Sequence, residues 1–277
     1  MNDTVRLGGM ALANGVLVHG ARHWACAIRT DEGRLRLASE RKRIRSSDVA
    51  SPLLRAPARL AEVIAVLPAV RRALPEARLP FFEGRVLGVM AGTALAVRAL
   101  RSSRLSLGAQ EGLAALLAVV PVALVLRGSS LAEYHGAEHI AIGSYEHGEP
   151  RPREHERCGS HMLGPLLVSS AAGNALVSTV AGSAGRGTIA RSAVAVGSVA
   201  VAGEIFAWMN HHPANPVSRL LAWPGRELQS RFLTAEPTAE QLEVARLALV
   251  ECVRLELADE AGANGAGGNG ANSTPAL

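Results

Sequence analysis

The side chains with chemistry to offer are gathered in one stretch. It runs Tyr134-His135-Gly136-Ala137-Glu138-His139, then Tyr145-Glu146-His147, then Arg157-Cys158-Gly159-Ser160-His161. On a helix, His135 and His139 stand one turn apart on one face, with Glu138 beside them. In an HxxEH arrangement two neutral imidazoles bind a divalent ion and the adjacent carboxylate serves as base. Such a site takes a third protein ligand and keeps one position open for water, and zinc suits these donors. Candidates for the third ligand are Glu204, Cys158, His161, Glu146 and His147. Glu204 is attractive because a carboxylate inside an apolar helix needs a partner. Cys158 is attractive because Arg157 and the following glycine favour a thiolate. Glu138 is the expected catalytic base. The alternative is a structural use of the same side chains, as a hydrogen-bond network or a closed four-ligand site.

The surrounding sequence must position these groups. Ser130 and Glu133 read as a capping box, and Gly148 as a stop, so a helix is expected over Leu131 to His147. Gly136 weakens it by ~1 kcal/mol relative to alanine, which packing must offset. Before the cluster, Gly8 to Gly20 is punctuated by glycine. His23 to Arg29 and Arg34 to Ala38 alternate in character around the turn Asp31-Glu32-Gly33, which predicts a small β-hairpin unit. His19 and His23 read as strand-surface residues, the basic run Arg41 to Arg45 as a solvated face, and Cys26 and Cys252 as core. Leu53 to Leu74 reads as a helix interrupted by Pro57 and Pro68. Near the C-terminus, Thr238 and Gln241 form a second capping box. Leu242, Ala245, Leu249 and Cys252 share one face of a final helix expected to reach Leu257.

Four apolar segments decide the expected fold class. Val86 to Leu100 and Leu113 to Leu126 are short for a span, which needs about 20 residues. Met162 to Gly182 is long and uncharged, with Ser169 and Gly173 at small-xxx-small spacing. Thr188 to Met209 is similar but contains Arg191 and Glu204. The chain has 277 residues, 48% hydrophobic but only 3% aromatic and 19% charged. Its basic balance is almost all arginine, with Lys42 the single lysine. Those arginines are not interleaved with aromatics and no nucleic-acid motif accompanies them, so nucleic acid is not an expected partner. Three widely spaced cysteines suggest no disulfide framework, and no cleavable signal peptide is expected. The reading is a mainly α, helical integral membrane protein with about four membrane-associated or spanning helices and a small N-terminal β unit. The arginine bias favours cytoplasmic termini and a cytoplasm-facing cluster. Three regions are expected: 1–50, a glycine-rich β-hairpin unit; 51–257, the helical membrane part; and 258–277, a disordered tail.

Taken together these motifs resemble a known family. Tyr134 to His139, Tyr145-Glu146 and Arg157-Cys158-Gly159 are similar to the signature of the YqhQ-like bacterial membrane proteins. Gly8-Gly9, Ala11, Gly15-Val16, Gly20 and Trp24 resemble its N-terminal glycine motif. Leu79-Pro80-Phe81, Gly84-Arg85-Val86, Asn215-Pro216, Ala222-Trp223-Pro224-Gly225 and Glu236-Pro237 follow in the family's order. The resemblance covers roughly Gly8 to Val253. Met10 and Asn14 depart from it, and Asn14 lacks the carboxylate the motif carries. The resemblance implies a multi-pass membrane protein with a metal site at the cluster, and no established reaction.

The resulting expectation is a metal-dependent membrane enzyme, a hydrolase using activated water. His135 and His139 are ligands, Glu204 or Cys158 completes the site, and Glu138 is the base. Its partners are a lipid bilayer and a small-molecule or peptide substrate, and a homo-oligomer is allowed. A non-catalytic membrane scaffold with a structural metal is the alternative, and a transporter using Glu204 the third.

Overall fold

The computed structural model describes residues 4–46, 49–80, 84–105, 107–181 and 188–267. Phe81, Gly182 and the last ten residues of the expected disordered tail (268–277) lie outside them.

The N-terminal region is more than a hairpin. Strands β1 (Gly8–Leu12), β2 (Gly15–His19), β3 (His23–Arg29) and β4 (Leu35–Arg41) form one antiparallel sheet in sequential order. Alternation sends successive side chains to opposite faces. Val16, Val18, Ala25 and Ala27 face one core, and Leu12, Leu17, Trp24, Cys26 and Ile28 face another. The sheet is thus sandwiched, which explains why β3 is buried at almost every position.

Eight helices follow among the described residues: α1 (Pro52–Ala73), α2 (Gly84–Arg101), α3 (Leu107–Leu126), α4 (Ser130–His147), α5 (Leu163–Ala181), α6 (Thr188–His211), α7 (Pro216–Leu228) and α8 (Ala239–Gly267). Helices α4 and α8 cover the first face of the sheet through Tyr134, Ala137, Ala141, Val244, Ala245, Leu249 and Cys252. The end of α1 and the segment to Leu79 cover the second. Helices α2 and α3 pair, α5 pairs with α6, and α6 packs on α1.

Two caps explain the helices nearest the site. Helix α8 begins at the expected Thr238–Gln241 box: the Thr238 N–H donates to Gln241 Oε1 (2.8 Å) and the Gln241 N–H to Thr238 Oγ1 (3.2 Å). It continues to Gly267, ten residues past Leu257. Helix α4 is capped one residue earlier than expected, by Ser129, whose Oγ accepts from the Ala132 N–H. Glu133 instead accepts from Gln241 Nε2 (2.7 Å), tying α4 to α8. At the other end Gly148 adopts the left-handed conformation (φ 70°), as a helix stop requires.

The multi-pass membrane reading is corrected. Among the described residues a single helix, Ser192–His211 within α6, is long and apolar enough to cross a membrane. Arg98 and Arg101 lie in the last turn of α2, and α5 carries Ser169, Asn174 and Thr179. The small residues that suggested spans serve helix pairing instead. Ser169 Oγ donates to the Ser198 carbonyl (3.1 Å), and Gly173 faces Val194.

Three polar residues of the N-terminal half are buried, and for Lys42 and His23 this corrects the expectation. Lys42 is not on a solvated face: its ammonium is buried against Glu62 of α1 and lies 3.2 Å from His19 Nδ1. Glu62 also accepts from the Ser46 N–H (2.7 Å). His23 is buried, and its N–H and that of Arg22 donate to Glu256 Oε1 of α8 (both 2.7 Å). Asn14 is a staple: Nδ2 donates to the Arg29 and Glu76 carbonyls (3.2 and 3.0 Å), and Oδ1 accepts from the Arg78 N–H (2.9 Å).

His19 gives the fold a testable pH dependence. Burial, aided by the Lys42 charge, holds its imidazole down at about 4. In the unfolded chain it titrates near 6.5. Between these values the unfolded state binds more protons, so this contribution is complete above about pH 6.5 and is lost as pH falls towards 4. Urea unfolding at stepped pH is expected to show a loss of roughly 3 kcal/mol over that window. A His19→Gln chain should lose correspondingly less, and an unchanged slope would contradict the assignment.

Candidate metal centre

Helix α4 carries His135, Glu138 and His139, and the loop after it returns Cys158 to them. The side-chain donor atoms of His135, His139 and Cys158 all lie within 4.8 Å of one another. Cys158 Sγ is 3.8 Å from His135 Nε2, and the two imidazole centroids are 4.3 Å apart.

The backbone fixes both rings. His135 Nδ1 donates to the Leu233 carbonyl (2.9 Å), and His139 Nδ1 donates to the Arg153 carbonyl (2.7 Å). Each Nδ1 therefore carries the proton, and each Nε2 presents a lone pair for a ligand. Leu233 ends a π-helical turn, Gln229–Leu233, that follows α7. This wider turn leaves its last carbonyl outside the helix ladder, where His135 can use it. Arg153 is held over the same turn by guanidinium bonds to the Ser230 and Thr234 carbonyls.

Two glycines admit this close packing. At Gly136 a Cβ would strike the carbonyl oxygen of Ala235, whose N–H bonds the Ala132 carbonyl (2.9 Å). The helix cost of that glycine thus brings the π turn against α4. At Gly9 a Cβ would strike the Glu138 carboxyl, so β1 lies directly on that side chain.

The electrostatics follow from burial and crowding. Burial pushes the Cys158 thiol up, but hydrogen bonding to His135 and His139 and their positive charge hold it well below the usual thiol range. Burial opposes an imidazolium at His135, yet the bond to Cys158, the Glu138 and Cys158 charges and the Leu233 carbonyl raise it to about 9. Burial pushes the Glu138 carboxyl up, against the pull of His139 and His135.

The other predicted ligands lie elsewhere. Glu204 is not among the clustered donors. It sits on α6 with its side chain 37% exposed, 4.0 Å from Arg55 of α1. Glu146 pairs with His155 (3.1 Å) and with Arg157. His147 bonds the Gly143 carbonyl of its own helix (2.9 Å). His161 is buried near Cys158, and neither ring nitrogen has a hydrogen bond among the described residues.

His155 was not anticipated. Its ring lies 5.5 Å from that of His139, and Glu146 orients it. The sequence signal was weak, a histidine inside the charged loop Arg151 to Arg157. His135, Glu138, His139, His155 and Cys158 all line one cavity of about 1320 Å³, bounded also by β1, α1, α2 and α6.

The fold and site define a mainly helical protein with an N-terminal sheet and a half-buried His–His–Cys cluster opening on a cavity. The chain belongs to the family described as "Protein of unknown function (DUF1385)", whose profile matches residues 113–255. It is 30% identical over 136 residues to the uncharacterized protein YqhQ of Bacillus subtilis (strain 168). That match covers 46% of this chain and 42% of the relative, so well under two thirds of the relative's length is represented. The family read from the motifs is thus the family found. No solved structure matches the chain.

Proposed function

We propose that this chain is a metal-dependent hydrolase in which His135, His139 and Cys158 hold a divalent ion, zinc fitting the donors best. The observation that carries this reading is the pair of Nδ1–carbonyl bonds, which give both imidazoles the ligand tautomer beside a depressed thiol. Two nitrogens and a thiolate suit zinc, and three protein donors leave a position open. Their placement on a cavity favours hydrolysis over a purely structural role. A bound ion would act as a Lewis acid, lowering the pKa of water at the site. Glu138 accepts the proton of the attacking water and passes it to the leaving group. The contact with Gly9 holds the carboxyl in place for that transfer.

Metal analysis of the purified chain tests the donor set. The parent is expected to retain about one equivalent of zinc. The His135→Ala, His139→Ala double variant is expected to retain almost none, and equal metal in both would end the assignment.

The 3.8 Å Cys158–His135 contact supports a second reading, a thiolate nucleophile with an imidazolium partner. Activity that survives a chelator and is lost on alkylation of Cys158 would favour it.

A further inference from the structure

Strand β1 is an edge of the sheet, and its outer side is bare. Antiparallel strands joined by a two-residue turn bond through alternate residues. Ala13 and Asn14 make that turn, so Gly8, Met10 and Leu12 direct their backbone groups at His19, Leu17 and Gly15 of β2. The N–H and C=O of Gly9 and Ala11 point the other way. Among the described residues neither meets a hydrogen-bond partner. Open edges of this kind are usually blunted by charge, proline or a covering element, because they template another strand. This edge has two glycines and lines the cavity that contains His135, Glu138, His139 and Cys158.

We propose that the cavity binds an extended polypeptide segment, which adds to β1 as a further strand and so passes beside Glu138. Geometry and charge define the occupant. A strand added to β1 lies about 4.8 Å from it. Gly9, with no Cβ, abuts Glu138, so the segment paired there runs along that carboxyl. The cavity is walled by Val63 of α1, Met90 of α2 and Phe206 of α6. Arg6 and Arg59 also line it and make no ion pair with the described residues, so the segment is acidic. Main-chain bonds would supply affinity, and the wall would select alternate side chains.

The fate of the segment rests on the hydrolase reading. The water oxygen adds to the scissile carbonyl carbon and the C–N bond breaks. The amine nitrogen takes up both water protons, one through Glu138, leaving a carboxylate and an ammonium group.

The test uses the full chain carrying Glu138→Gln and a fluorescent decapeptide of alternating alanine and glutamate. Residue-resolved hydrogen exchange is expected to slow about tenfold or more at Gly9 and Ala11 when the peptide binds. Met10, already bonded to Leu17, should not change. N-methylating every second peptide residue should abolish binding in one phase and spare it in the other. Absence of binding, binding without protection at Gly9, or equal tolerance of both phases would overturn the proposal. So would protection that appears without peptide and grows with protein concentration, the mark of a second copy on β1. Metal content measured on the same sample separates the two readings. Peptide on β1 without metal sinks the hydrolase alone, and metal with a bare β1 sinks the strand addition alone.

Discussion

Glu138→Gln is expected to leave zinc content unchanged and to lower hydrolysis of an acidic peptide by about 10²–10⁴-fold, the range carried by a positioned proton-transfer group. Glu138 is one residue from a proposed ligand but is not itself among the clustered donors, and only 6% of its surface is exposed. Glutamine keeps its shape against Gly9 and removes its ability to take a proton. Stability should hold or rise, because burial already disfavours the charged form. Peptide turnover measured beside metal content and a urea curve checks all three statements. Full activity in Glu138→Gln would remove this carboxyl from the mechanism.

The second large effect concerns Lys42 and Glu62. Their side chains are 1% and 6% exposed, and they pair directly. Removing one partner of such a pair leaves an uncompensated buried charge, at a cost of about 3–5 kcal/mol. Lys42→Met alone is expected to destabilise the chain by that amount in urea unfolding. The Lys42→Met, Glu62→Leu double variant should recover most of it, since an apolar pair of similar volume avoids the desolvation cost. The Ser46 N–H would lose its acceptor in the double variant, so recovery should be incomplete. A single variant within about 1 kcal/mol of the parent, the value of an exposed pair, would contradict the buried-pair description.

Local signals were legible in the sequence and long-range ones were not. The helix under the cluster, the stop at Gly148 and the Thr238–Gln241 box depend on neighbours in the chain, and each stands close to where it was expected. The cap slipped from Ser130 to Ser129 because adjacent serines offer the same oxygen. Strand β1 was hidden because Gly8 and Gly9 have no side chains to alternate. Glu204 was expected to be buried and in need of a partner, but its side chain is 37% exposed and lies 4.0 Å from Arg55, far away in sequence. The Ala-, Gly- and Val-rich helices were taken for membrane spans because close helix pairing draws on the same small residues. The acceptors that orient His135 and His139 are backbone carbonyls of Leu233 and Arg153, which leave no trace in a pattern of side chains. The buried environment of Lys42 needed Glu62 of α1 to be placed against it.

The central claim is a divalent ion held by His135, His139 and Cys158, and its environment can be read directly by X-ray absorption at the zinc edge of the loaded chain. The account predicts two imidazole nitrogens at about 2.0–2.1 Å and one sulfur at about 2.3 Å, with the sulfur lost in Cys158→Ser. A shell of oxygen and nitrogen alone, unchanged in Cys158→Ser, would contradict it.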